Sequence, residues 1–158
     1  MASTTNERKT TLIRVRKLVK SYPTGAGPLE ALHAIDLEVQ QGEYVGVIGK
    51  SGAGKTTLVN MLSGIDRITS GEVYVNGTAV HELKEDQLAL WRGKNLGVVY
   101  QSFHLLPMLS LRDNITLAMD FGGQYRRGKS EAKAMDLLAQ VELEEHAHKP
   151  PAYISGGQ

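Results

Sequence analysis

The chain has 158 residues, enough for one domain with a real core. Its 18 Lys and Arg against 17 Asp and Glu give a formal charge of +1, which offers no electrostatic footprint for nucleic acid. The absence of cysteine excludes a disulfide framework and a thiolate metal site.

From the N-terminus, "MASTTNERKT" is polar, lacks an apolar h-region and reads as a disordered leader over residues 1–10. Three strand-like runs follow: "LIRVRKLV" (12–19), "ALHAIDLEV" (31–39) and "EYVGVIG" (43–49). The third is almost wholly apolar, the pattern of a strand buried on both faces of a parallel sheet. After a glycine loop, "KTTLVNMLSGI" (55–65) repeats Leu58, Met61, Leu62 and Ile65 at helical spacing. "GEVYVNG" (71–77) is a strand closed by Asn76-Gly77, a strong hairpin signal. "KEDQLALWR" (84–92) predicts a short helix and "NLGVVYQ" (95–101) another strand. No run reaches the roughly 18 apolar residues of a membrane span.

Beyond Gln101 the pattern is helical. Ser110-x-x-Asp113 is a capping box opening the helix "LRDNITLAMDF". Ser130 is the expected cap of "EAKAMDLLAQVEL", with Ala132, Met135 and Ala139 beside Leu138 as its apolar stripe. Pro150-Pro151 is the expected stop of that helical run. The order is that of an α/β chain with a helical part after the second apolar strand.

"GKSGAGKT", Gly49 to Thr56, matches G-x-x-x-x-G-K-[ST] in full, with an apolar run before it and a helix after it. Gly52 and Gly54 let the backbone curl so that successive N–H groups converge, and the helix N-terminus adds its partial positive charge. Lys55 supplies a point charge for the β- and γ-phosphates, and the Thr56 hydroxyl can ligate Mg²⁺ beside them. Joined to this loop are Tyr22 in "KSYPTGAG", Gln101 in "VVYQ" with "SFHLLPMLSLRDNI" after it, and the closing "ISGGQ" (154–158).

In this order and register the four elements resemble the nucleotide-binding domain of ABC transporters over nearly the whole chain from residue 11. The "SGIDRITSGEV" (63–73) and "QSFHLLPMLS" (101–110) runs look like the branch of lipoprotein-releasing and macrolide-export ATPases. The resemblance implies a P-loop NTPase of ABC type: an N-terminal antiparallel β subdomain, a helical subdomain at about 102–158, and a core sheet whose C-terminal part is missing. It implies ATP and Mg²⁺ as ligands. Gly49, Lys50, Ser51, Gly52, Ala53, Gly54, Lys55, Thr56 and Thr57 would hold the phosphates. Tyr22 would stack on adenine. Gln101 would join Thr56 on Mg²⁺ and share catalysis with Lys55. Ser155, Gly156 and Gly157 would face the γ-phosphate bound by a second subunit in a head-to-tail dimer. Ile154, where leucine is usual, and Tyr100, where phenylalanine is commoner, depart from the family pattern.

The resemblance also implies separate transmembrane permease subunits, no nucleic acid, and a cytoplasmic position on the inner face of the membrane. In the family, a strand ending in Asp, a catalytic Glu and a switch histidine follow the signature. Residues 1–158 contain none of them in that order, so hydrolysis at a family-typical rate is not expected from these residues alone. "LAMD", ending at Asp120, has Phe121 where the acid belongs, and "HAID", ending at Asp36, precedes the loop. His146-x-His148 lacks the further ligands of a metal site. Two other readings stay open: an inactive nucleotide-binding fragment, and a soluble ABC ATPase acting on ribosomes or DNA, against which the near-neutral charge speaks.

Overall fold

The computed structural model describes residues 10–100 and 104–158; the expected leader, apart from Thr10, and Gln101 lie outside the described residues. Contacts divide the chain into two compact units, Met1–Leu88 and Ala89–Gln158.

The first unit is built on a long hairpin, β1 (Thr11–Thr24) and β2 (Gly27–Gln40). With β3 (Ser70–Val75) and β4 (Thr78–Ala79) it forms a four-stranded sheet in the order β2-β1-β3-β4, antiparallel throughout. Asn76 and Gly77 both take positive φ and join β3 to β4 through two residues, as a type I′ turn requires.

The hairpin is not a simple alternation. Val15 pairs with Leu37 and Leu18 with Ile35, so β1 carries an extra residue there; Lys20 then pairs with Leu32, so β2 carries the next. Lys17 (φ 44°) and Ala34 (φ 47°) are the left-handed residues of these bulges. Their effect is to rephase β1, so that Val15 and Leu18 both point inward despite a spacing of three. The displaced Lys17 amide donates to the Asp36 carboxylate at 3.0 Å.

Helix α1 (Lys55–Ser63) follows the glycine loop. It ends at Gly64 (φ 64°), whose amide donates to the Met61 carbonyl while the Ile65 amide donates to Asn60, the paired bonds of a Schellman cap. A Cβ at Gly64 would lie 2.7 Å from Leu88, so this position needs glycine for space as well as for conformation. Of the expected apolar positions, Met61 is buried and Ile65 is exposed. The unit's other buried apolar residues include Leu18, Leu32, Val73, Val75, Val80 and Leu88. Helix α2 (Glu85–Asn95) begins at its end.

In the second unit, α3 (Leu111–Phe121) has the expected bounds, and Ser110 Oγ accepts from the Asp113 amide at 3.1 Å. Leu111 and Arg112 donate their amides to the carbonyls of Lys149 and Ala147, which satisfies more of the helix's first turn. Helix α4 (Lys129–Gln140) differs from expectation at both ends. Its cap position is Gly128, whose amide is held by Glu131; Ser130 lies inside the helix and its hydroxyl accepts from Arg126. It ends well before the prolines, because Glu142 turns left-handed (φ 60°) and Leu143 bonds back to Leu138, again a Schellman pattern. Burial of Leu143 beside Leu138 explains why a glutamate accepts that conformation. The buried face is Ala134 and Leu138 with Met135 half-buried, while Ala132 and Ala139 face solvent. Leu111, Leu138, Leu143 and Ala147 form the unit's core, with Ile115, Met135 and Ile154 packed against it.

Two expected strands are not formed. Residues 43–49 and 96–100 lie outside every ladder. Ile48 is 94% exposed and Val99 96%. A strand needs hydrogen-bonded neighbours as well as apolar composition, and neither run has such a neighbour among the described residues.

Candidate functional site

The glycine loop runs from Gly49 to Gly54 and delivers the chain into α1. It is folded tightly: the Ala53 amide donates to the Lys50 carbonyl at 3.2 Å, and a Cβ at Gly49 would meet that of Ala53 at 3.3 Å. Gly54 stands at the N-cap with φ 81°, and a Cβ there would lie 2.7 Å from the Ala31 carbonyl oxygen and 3.0 Å from Leu32. Only glycine fits on both counts, so the loop is seated directly on β2. The first turn of α1 contains no acidic residue. Its leading amides have no intrahelical partner, and the helix dipole makes that end electropositive.

Lys55 turns back over the loop, donating from Nζ to the carbonyls of Gly49 at 2.9 Å and Lys50 at 2.8 Å. Its ammonium is thereby fixed above the loop. Lys50, Ser51, Gly52, Ala53 and Thr56 are exposed, while Thr57 is half-buried. Curled backbone donors, a helix N-terminus and a fixed cation suit a polyanion with several oxygens. The exposed Thr56 hydroxyl, next to that cation, is a hard oxygen donor of the kind Mg²⁺ takes beside phosphate.

Tyr22 lies near the end of β1, paired with Leu29 on β2. Its hydroxyl donates to Asp66 Oδ2 at 3.0 Å. The other oxygen of Asp66 accepts from Lys20 Nζ at 2.9 Å, and Lys20 also donates to the Arg67 carbonyl at 2.6 Å. The same ammonium lies 4.6 Å from the centroid of the Tyr22 ring, a cation–π contact. Burial works against the Asp66 carboxylate, but hydrogen bonds from Lys20, the Arg67 amide and Tyr22 outweigh it and hold its pKa below the usual carboxylate value. Sequence reading assigned no role to Lys20 or Asp66. The available signal was a lysine in an inward-facing register of β1, visible only once the bulges are known.

In the second unit, Pro151–Tyr153 form a single 3₁₀ turn and Ile154 is extended. Ser155 to Gln158 form one closed turn: the Gln158 amide donates to the Ser155 carbonyl at 3.0 Å, and the Ser155 amide to the Gln158 side chain at 2.9 Å. Ile154 ties this turn to the helical core. Ser155, Gly156 and Gly157 line a cleft of about 390 Å³ with His104, Leu105 and Pro151. Gln101 falls outside the described residues. Of the two aspartates considered as metal ligands, Asp36 accepts from the Lys17 amide at the β1 bulge, and Asp120 is an exposed residue of α3. His146 Nδ1 lies 2.9 Å from Lys149 Nζ.

Residues 32–158 match the family model described as "ABC transporter". The chain is 40% identical over 149 residues to the lipoprotein-releasing system ATP-binding protein LolD of Idiomarina loihiensis, covering 93% of this chain and 64% of that protein. It is 36% identical over 147 residues to the macrolide export ATP-binding/permease protein MacB of Psychrobacter arcticus, covering 93% of this chain and 22% of that protein. Among solved structures it is similar to the dimeric post-hydrolysis ATP-binding cassette MJ0796 bound to ADP and Pi. That match has a TM-score of 0.85 at 32% identity, over 93% of this chain and 65% of the cassette. The chain thus spans just under two thirds of the LolD relative and of the solved cassette. Among the described residues, no helix is long and apolar enough to cross a membrane.

Proposed function

The chain belongs to the ABC transporter family, and from that premise we propose that it acts as an ATP-binding subunit coupling ATP to export or lipoprotein release through separate membrane permease subunits. The observation that carries the ATP-binding part is the glycine loop: Gly54 is seated where no side chain fits, and the Lys55 ammonium is anchored over the carbonyls of Gly49 and Lys50.

In this reading the amides from Gly49 to Thr57 cradle the triphosphate. Lys55 exchanges its carbonyl partners for β- and γ-phosphate oxygens, trading neutral acceptors for charged ones, which form the stronger bonds. Tyr22 stacks on adenine. Thr56, with Gln101, would hold Mg²⁺, which neutralises phosphate charge when bound. Ser155, Gly156 and Gly157 present their amides to the γ-phosphate of a second subunit in a head-to-tail dimer. The subunit would then sit at the cytoplasmic face of the membrane through its permease. Positioning and charge stabilisation carry most of phosphoryl transfer, so a water-orienting acid is a further requirement for turnover.

Calorimetric titration with Mg·ATP tests the binding step. Charge-assisted bonds contribute about 1.5–3 kcal/mol each, so Lys55→Ala is expected to weaken binding by roughly tenfold or more. Equal affinity in the parent and in Lys55→Ala, or no binding by the folded parent, would overturn the reading.

A further inference from the structure

We propose that Asp66 and Lys20 are positioning residues for Tyr22, clamping its ring in one orientation beside the phosphate loop so that a single face is presented to a purine base. This rests on the stacking role given to Tyr22 above.

Stacking alone requires no partner for a tyrosine hydroxyl, and a half-buried ring at a strand end can leave its hydroxyl in water. Here the ring is fixed at two places. Its hydroxyl donates to Asp66 Oδ2, and one face is taken by the Lys20 ammonium 4.6 Å from the centroid. The two restraints share one anchor, because Lys20 donates to Oδ1 of the same carboxylate. Asp66 is itself held by the Arg67 amide at 2.7 Å, and Lys20 by the Arg67 carbonyl. Lys20 is only 8% exposed, unusual for a lysine, so its ammonium has little freedom to leave the ring. With one face occupied, a base can stack only on the other.

The hairpin ladder ties this clamp to the phosphate loop. Gly54 is pressed against Ala31 and Leu32 of β2; Leu32 is the ladder partner of Lys20, and Tyr22 pairs with Leu29. Two residues of strand separate Lys20 from Tyr22, about 7 Å at the usual rise per residue. A ring already held at this place loses less freedom when a base stacks on it, which raises affinity without adding a contact to the ligand.

The test is titration of the chain with Mg·ATP and, in parallel, with Mg·tripolyphosphate, which has the phosphates but no base. Tyr22→Phe keeps the ring and removes the tether. It is expected to weaken Mg·ATP about threefold to tenfold while leaving tripolyphosphate unchanged, a range set by one hydrogen bond's worth of orientation. Asp66→Asn, which keeps an acceptor for Tyr22 but releases Lys20, should shift Mg·ATP alone in the same direction. Parent-like Mg·ATP affinity in Tyr22→Phe overturns the proposal, as does an equal loss for both ligands. Tyr22→Ala separates the two levels: if it loses Mg·ATP affinity and Tyr22→Phe does not, positioning fails and stacking stands. If Tyr22→Ala binds Mg·ATP as the parent does, the stacking reading falls and takes the clamp with it.

Discussion

The β1–β2 hairpin and the run Tyr44–Ile48 are both rich in apolar residues with strand propensity, yet they end in opposite states. The hairpin closes through a two-residue turn and buries Leu18 completely, with β3 alongside burying Val73. The run before the glycine loop joins no ladder, and Ile48 is 94% exposed. Residues 96–100 of the second unit behave in the same way. The difference lies in where the partner is. β2 follows β1 through a two-residue turn and β3 returns to the other edge of β1 after α1, whereas residues 43–49 and 96–100 join no ladder among the described residues. Apolar composition sets what a strand would gain from burial; a hydrogen-bonded neighbour decides whether it becomes a strand.

The sharpest way to break this contrast is Leu18→Ala. Leu18 sits just past the bulge that turns it inward, and it is 0% exposed. Its truncation is expected to cost about 2–5 kcal/mol, the range for a buried leucine whose surroundings do not collapse. Urea denaturation followed by far-UV circular dichroism measures it. A loss below about 1 kcal/mol would mean that the hairpin is no better packed than the unpaired runs.

A smaller effect sharpens the comparison by charge. Asp66 links the turn after α1 to Lys20 and Tyr22 of β1. Its folded pKa is depressed, so its contribution is fully present above the unfolded value of about 3.9 and is lost as pH falls through the folded value. Asp66→Asn is expected to cost about 1 kcal/mol at neutral pH, discounted for partial exposure of the carboxylate. The gap between parent and variant should begin to narrow below about pH 3.9 and close only below the depressed folded value, where the parent's carboxylate is protonated too. A gap that persists unchanged at low pH would show that the carboxylate's charge is irrelevant to the hairpin.

How much was legible in the sequence follows the same line of local against distant causes. The glycine loop leading into α1, the Asn76-Gly77 turn and the bounds of α3 are written in a few neighbouring residues, and the structure has them where the sequence does. The start of α4 at Gly128 was missed because a serine two residues on has the better capping chemistry in isolation. Its end was missed because a left-handed Glu142 is stabilised by burial of Leu143, a tertiary fact. The bulges at Lys17 and Ala34 broke the simple alternation, and with it any sequence-level view of which β1 side chains face inward. The clamp on Tyr22 joins residues 44 and 46 positions apart, beyond the reach of any local pattern.

The smallest effect comes from the other half of the comparison. Ile48 is almost fully exposed and in no ladder, so Ile48→Lys removes little buried surface; its effect on unfolding free energy is expected to stay within about 0.5 kcal/mol. The same residue should matter far more to association. An apolar run with unpaired backbone groups is a template for pairing with another chain, and a lysine there opposes such pairing. Light scattering at rising protein concentration should therefore show Ile48→Lys staying monomeric where the parent begins to associate, with the two melting alike. If the variant instead melts earlier by as much as Leu18→Ala does, residues 43–49 are buried in solution and the contrast with the hairpin is wrong.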